Sequence, residues 1–382
     1  MGKNIDKPQA VYSLIALFAL IFMKIVEVKP NRIVSGERFT AYEFIGWPVL
    51  LVGTGFLLIA VLSLSTWKMK GLMTTLTGAF LFTFFLYLMG LSGQVAASGS
   101  NSIRVSFSMG FYILLLMIYL LFGHVMAKKD NYLTLEKGIA LLIFISVIVF
   151  VYSGLFDGFS ILKEYEIKKN QFMDSLTTHL FLSLGSVTVG SLIAIPLGYL
   201  AYRRKKLESA VMVPLSIVET IPSLSLFGIL LVPLAGLGRI DFFRSLGISG
   251  IGWAPAFVAL TLYTLLPIGR NTLVGFTTVG RDVIEAAQGM GMSRKQIFRK
   301  IEFPLALPII ITGVRIALVQ TVGGAVIAGL VGGGGLGTFV FLGLAEASQD
   351  LVLLGVIPIV LLTLILDKAL KLVVDRIRRR KS

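Results

Sequence analysis

Runs of roughly twenty apolar residues recur along this chain, each long enough to cross about 30 Å of hydrocarbon as a helix. No other feature constrains the fold as much, because backbone polar groups in lipid must find their partners internally. The runs lie near residues 9–26, 44–66, 71–93, 107–126, 138–156, 179–202, 210–236, 252–270, 307–331 and 351–370. A soluble domain carries about a quarter charged residues, whereas here 14% are charged and 56% hydrophobic. That excludes a soluble fold. The runs show no strand-like alternation, which argues against a membrane barrel. The expected fold class is all-α: a polytopic membrane protein of about ten transmembrane helices.

The formal charge of +15 would point to nucleic acid in a soluble protein, but its placement here reports topology. Most Lys and Arg fall in the alternate loops that are interior if the N-terminus is inside, which places both termini in the cytoplasm. The stretch Arg203-Arg204-Lys205-Lys206 and the tail from Arg376 to Lys381 are the strongest anchors. With no cysteine and only His124 and His179, there is no disulfide framework, thiolate nucleophile or His-based metal cluster. Both histidines read as interfacial anchors. The N-terminus resembles a signal peptide, but Lys24-Ile25-Val26 offers no small-x-small cleavage site, so an uncleaved first span is expected.

Residues 157–178 place Ile161, Leu162, Tyr165, Phe172, Met173 and Leu176 at near-helical spacing, as in an amphipathic helix on the outer surface or a solvated linker. Pro and Gly irregularities concentrate after it. The expected division is an N-terminal extension of about five spans over 1–160, an external helix or linker over 161–178, a second membrane unit over 179–376 and a basic cytoplasmic tail over 377–382.

Between two apolar runs lies "VIEAAQGMGMSRKQIFRKIEFPLALP", Val283 to Pro308, which reads as a small soluble hairpin. Asp282 is placed to cap a helix beginning near Val283, with Glu285 in its first turn. Gly289 and Gly291 stop it. Ser293 is a good N-cap for a second helix, with Gln296 at the capping-box position and Ile297, Phe298 and Ile301 on one face. A partly apolar face outside the bilayer needs a partner, either another protein or the chain's own helix ends and lipid headgroups.

Glu285-Ala286-Ala287, Gly291, Ile301 and Phe303-Pro304 resemble the signature of the membrane-spanning subunits of binding-protein-dependent ABC importers, with Phe for the usual Leu. The stretches "ETIPSLSLFGILLVPLAGLG", "YTLLPIGRNTLVGF" and "GVRIALVQTVGGAVIAGLVGGGGLG" resemble permeases of osmoprotectant importers, which take up glycine betaine, choline or carnitine. This resemblance covers roughly residues 175–375. Glu219 departs from it, since Gln is common there. It implies a five-helix type I ABC importer permease core, with residues 283–304 as a hairpin docking in a cleft of a cytoplasmic ATPase. Glu285, Ala286 and Ala287 would make the close contact, Gly291 the turn. It also implies an ATPase dimer that binds ATP and Mg, a second permease subunit, an external or periplasmic binding protein and a bacterial inner-membrane location. No cofactor is expected in this chain. Gly185 to Gly190 has the first spacing of a P-loop, but Ser191-Leu192 follows, so the chain is not expected to be an enzyme.

Several residues within spans ask for a reason. Glu219 precedes Ile221-Pro222-Ser223, where a proline frees carbonyls that Ser223 or Ser225 can re-satisfy, and a broken helix there would suit a gate. Glu219 lines a pathway, pairs with a cation or is protonated, or it is a snorkelled interface residue. Arg315 and Gln320 share a later span, and Glu219 and Asp367 are the candidate partners of Arg315. "VGGGGLG" follows a span rather than a strand, so a dinucleotide site fails and it reads as close-packing helix surface and flexible exit. Pathway candidates are thus Glu219, Pro222, Ser223, Arg315 and Gln320. The competing reading is an ion-coupled secondary transporter using Glu219, Arg315 or Asp367. A membrane-embedded enzyme lacks any constellation of nucleophile and base.

Overall fold

The computed structural model describes residues 6–31, 34–65, 67, 69–100, 102–127 and 133–379, with backbone alone at 133–137 and 140. The first five residues, 128–132 of an expected interior loop and the last three of the basic tail lie outside these. The chain forms two compact units, Met1–Ile167 and Lys168–Ser382. The boundary falls inside the segment 161–178. Its first part ends a short helix of unit one, and its second part opens a long helix of unit two.

Unit one contains α1 (Lys7–Phe22), β1 (Lys24–Lys29), β2 (Glu37–Thr40), α2 (Ala41–Ile45), α3 (Val49–Leu64), α4 (Lys70–Ala97), β3 (Arg104–Phe107), α5 (Met109–Ala127), α6 (Leu133–Tyr152) and α7 (Ser160–Ile167). The three strands form an antiparallel sheet in the order β2-β1-β3, a departure from the all-helical expectation. "KIVEVK" is β-branched at its centre and buries Ile25 and Val26, so it leaves the apolar helix before it and pairs instead. Thr40 and Glu43 form a capping box at the start of α2, and Lys24 Nζ lies 2.8 Å from Glu43 Oε2. The Lys24 ammonium and the Thr40 hydrogen bonds hold the Glu43 carboxyl down at about 2. Phe56, Phe85, Met89, Leu114 and Phe159 fill the core between these helices.

Unit two contains α8 (Lys169–Arg203), α9 (Glu208–Thr220), α10 (Ser223–Leu237), α11 (Asp241–Ser245), α12 (Trp253–Thr277), α13 (Arg281–Gly289), α14 (Arg294–Ile297), α15 (Phe303–Gly324), α16 (Gly337–Ala345) and α17 (Gln349–Arg379). Small residues let α8 and α12 meet closely: a Cβ at Gly190 would run into Thr264 Oγ1, and one at Gly198 into the Gly269 carbonyl. Among the described residues, six helices are long and apolar enough to cross a membrane, and α9 with α10 makes a seventh if the bent pair counts as one span. The helices α1 and α3 and residues 141–152 of α6 are apolar but shorter. The expected apolar runs fall largely on these elements, but the first passes out of α1 into β1 and the seventh is split between α9 and α10.

The Gly332–Gly335 run is a turn rather than a helix surface. A 3₁₀ segment, Ala325–Val331, ends at Gly332, and Gly332, Gly334 and Gly335 hold φ of 74°, 74° and 82°.

Candidate functional site

The helix α9 ends at Thr220, and after Ile221 and Pro222 the chain restarts as α10, turned by 106°. Proline has no N–H to continue the ladder and holds the residue before it extended, and Ile221 takes ψ 126°. The break expected at Pro222 is therefore present. Its satisfaction differs from expectation. The Tyr263 hydroxyl of α12 donates to the Ile221 carbonyl at 2.6 Å, and neither Ser223 nor Ser225 takes that role.

The turn leaves an open cavity of about 280 Å³. Glu219 and Ser223 flank it from the two sides of the break, Tyr263 lies on the α12 wall, and Gln320, Thr321 and Gly324 come from α15. Three residues singled out one by one in the sequence, Glu219, Ser223 and Gln320, thus converge across a hundred positions. Tyr263 and Thr321 were not anticipated, because an isolated Tyr or Thr in a span carries no signal of what it faces.

Arg315 is not part of this wall. It makes a two-pronged ion pair with Asp367 of α17, Nε to Oδ1 at 2.5 Å and Nη2 to Oδ2 at 2.8 Å, which decides between its two candidate partners. His179 is fully buried, and its Nε2 donates to the Val322 carbonyl at 3.1 Å. It is an internal tie rather than an interfacial anchor, because α8 begins ten residues before the expected span. His124 likewise has a specific partner, Asp6 Oδ1 at 2.7 Å.

The segment 281–304 is a hairpin of two helices, as its sequence indicates. The first starts two residues early, at Arg281, with Gly280 rather than Asp282 at the N-cap. It ends in a Schellman turn: Gly291 N donates to Gln288 O at 2.9 Å and Met292 N to Ala287 O at 3.1 Å. Gly291 holds φ 78° with open space where a Cβ would stand. Within this chain the left-handed backbone, not crowding, is what requires glycine. Ser293 and Gln296 complete the capping box.

The outward face differs from the three consecutive residues expected. Ala287 is 0% exposed, tucked inside the hairpin. Glu285 and Ala286 are exposed, and so are Val283 and Met290, which with Ala286 make an apolar ridge at positions i, i+3 and i+7. Ile301 and Pro304 are half-buried at the base. There the chain makes a π-helical turn, Phe298–Glu302, as such bulges often do at functional sites. Phe298 and Phe303 pack with Tyr199 and Tyr202 of α8 and with Phe276 of α12, and the Tyr202 hydroxyl donates to buried Glu302 at 3.2 Å. The hairpin tip is thus exposed while its base is fastened to the ends of two long helices.

Comparison with known proteins adds to this geometry. Residues 186–379 match the family model described as "Binding-protein-dependent transport system inner membrane component", and residues 6–162 match "ABC transporter permease YehY, N-terminal domain". The chain is 37% identical over 192 residues to the glycine betaine/carnitine/choline transport system permease protein OpuCB of Bacillus subtilis, covering 50% of this chain and 82% of that one. It is 37% identical over 204 residues to the osmoprotectant import permease protein OsmW of Salmonella typhimurium, covering 53% and 90%. Among solved structures, an inward-facing form of the MetNI methionine ABC transporter aligns with 56% of this chain and 98% of that one, at 27% identity and a TM-score of 0.48.

Proposed function

Because the chain belongs to the family of binding-protein-dependent transport system inner membrane components, we propose that it is the permease of an ATP-driven importer of small osmoprotectants such as glycine betaine or choline. The family implies an ATPase and an external binding protein as partners. In finer detail, a cytoplasmic ATPase dimer binds ATP and Mg, a second permease subunit completes the pathway, and the assembly sits in a bacterial inner membrane. This chain holds no nucleotide itself. The observation that carries the reading is the hairpin: an exposed ridge of Val283, Ala286 and Met290 beside Glu285, held by a buried base. Such a ridge fits a cleft of the ATPase, and its displacement would act on α8 and α12. The secondary-transporter reading has no comparable support, since Arg315 and Asp367 are engaged with each other.

Affinity purification of the chain from native membranes in mild detergent tests this. An ATPase at comparable stoichiometry is expected. Placing a branched side chain at the left-handed position costs about 1–2 kcal/mol and distorts the tip, so Gly291→Leu is expected to insert normally while losing the ATPase and uptake. Gly291→Asn, which tolerates φ above zero, retains most of both. Full uptake by Gly291→Leu would remove the coupling role.

A further inference from the structure

The cavity at the break has one carboxylate and no basic residue in its wall. The helix α9 begins at Glu208, directly after the basic run Arg203–Lys206. At 1.5 Å per residue, Glu219 stands about 16 Å along the helix from Glu208, a rise comparable with half of a hydrocarbon layer about 30 Å thick. A glutamate side chain is too short to reach back from there to the basic run, which supports the cavity-lining reading over the snorkelled one. Among the described residues no hydrogen bond or ion pair engages Glu219, and the one arginine of α15 is already committed to Asp367.

A lone acid exposed to an open cavity at that depth sets the sign of the solute that is welcome. A cation beside a carboxylate gains Coulomb energy that the reduced dielectric enlarges, and an anion loses it. The other walls narrow the class. The Tyr263 hydroxyl is spent on the Ile221 carbonyl, which leaves its ring for a guest, and an aromatic ring attracts cations that have no N–H to donate. Gln320 supplies an amide for a short hydroxylated or carbonyl-bearing arm, whereas the Thr321 hydroxyl donates to the Ala317 carbonyl and is left only as an acceptor. A volume of about 280 Å³ lies at the small end of ligand pockets.

We infer that Glu219 and Tyr263 form a cation-selecting site within the membrane for a small alkylated ammonium compound. The permease thereby adds a preference for net positive solutes to whatever the binding protein selects. This rests on the importer reading for its role in transport but not for its ligand.

The full chain in nanodiscs of phosphatidylglycerol, which carries no ammonium group, is titrated with tetramethylammonium in the absence of any binding protein. Saturable binding is expected, weakened about tenfold, or about 1.4 kcal/mol, in Glu219→Gln. Glu219→Asp and Tyr263→Phe keep it, and Tyr263→Leu weakens it. No saturable binding by the wild type, or equal binding by Glu219→Gln, overturns the site. Uptake of choline and glycine betaine by the reconstituted importer is the second measurement. Glu219→Gln is expected to lower choline uptake several-fold more than glycine betaine uptake, and an unchanged ratio overturns the selectivity. Tetramethylammonium binding in a protein that drives no ATP-dependent uptake would sink the importer reading and leave the site standing.

Discussion

Arg315 and Asp367 are 52 positions apart and meet through two hydrogen bonds, both side chains about one third exposed. Removing one partner leaves the other charge without its hydrogen-bonded counter-ion, whereas removing both leaves two neutral amides. Arg315→Gln and Asp367→Asn are therefore each expected to lower the thermal stability of the detergent-purified chain, and the double variant less than their sum. Additive losses would show that the contact carries no energy. The sequence marked Arg315 as too deep to stand alone but offered two acids, Glu219 and Asp367. Choosing between them needs the register of α15 against α17, which only the packing of whole helices sets. Ala287 shows the same limit: the motif named it, but the phase of α13 turned it inward and gave the outward positions to Val283 and Met290.

Within the hairpin, the information was local and so readable beforehand. Two helices, a glycine elbow and the Ser293–Gln296 capping box follow from neighbours within five residues. The base was not readable, because Tyr202 reaches Glu302 across 100 positions. That bond ties the start of α15 to the end of α8, where any movement of the hairpin has to pass. Tyr202→Phe keeps the ring stack and deprives a buried carboxylate of its donor, a loss of about 1–3 kcal/mol. The variant is expected to melt earlier and to bind the ATPase with its ATP hydrolysis retained, yet to transport fewer molecules per ATP. A wild-type ratio of transport to hydrolysis would make the bond structural only. The three strands went unread for the opposite reason: six residues continuing directly from an apolar helix look like its last turns until pairing with β2 and β3 is known.

At the scale of the molecule, the two units carry separate cores, one around Phe56, Phe85 and Phe159 and one built on α8, α12 and α15. The break cavity, the Arg315–Asp367 pair and the hairpin all belong to the second. The family model of binding-protein-dependent transport system inner membrane components matches residues 186–379, all within the second unit. A chain reduced to residues 168–382 is accordingly expected to insert, to melt cooperatively and to support ATP-dependent uptake when supplied with its partners. Within the second unit Leu182, Leu226, Ala256 and Ala325 pack among themselves. Uptake by the shortened chain, measured beside the full one at equal membrane abundance, tests this directly. Equal rates would leave the first unit a role outside the transport cycle, in stability or partner choice. A shortened chain that inserts and binds the ATPase but transports nothing would place the first unit inside the cycle, and the second unit's sufficiency would be refuted.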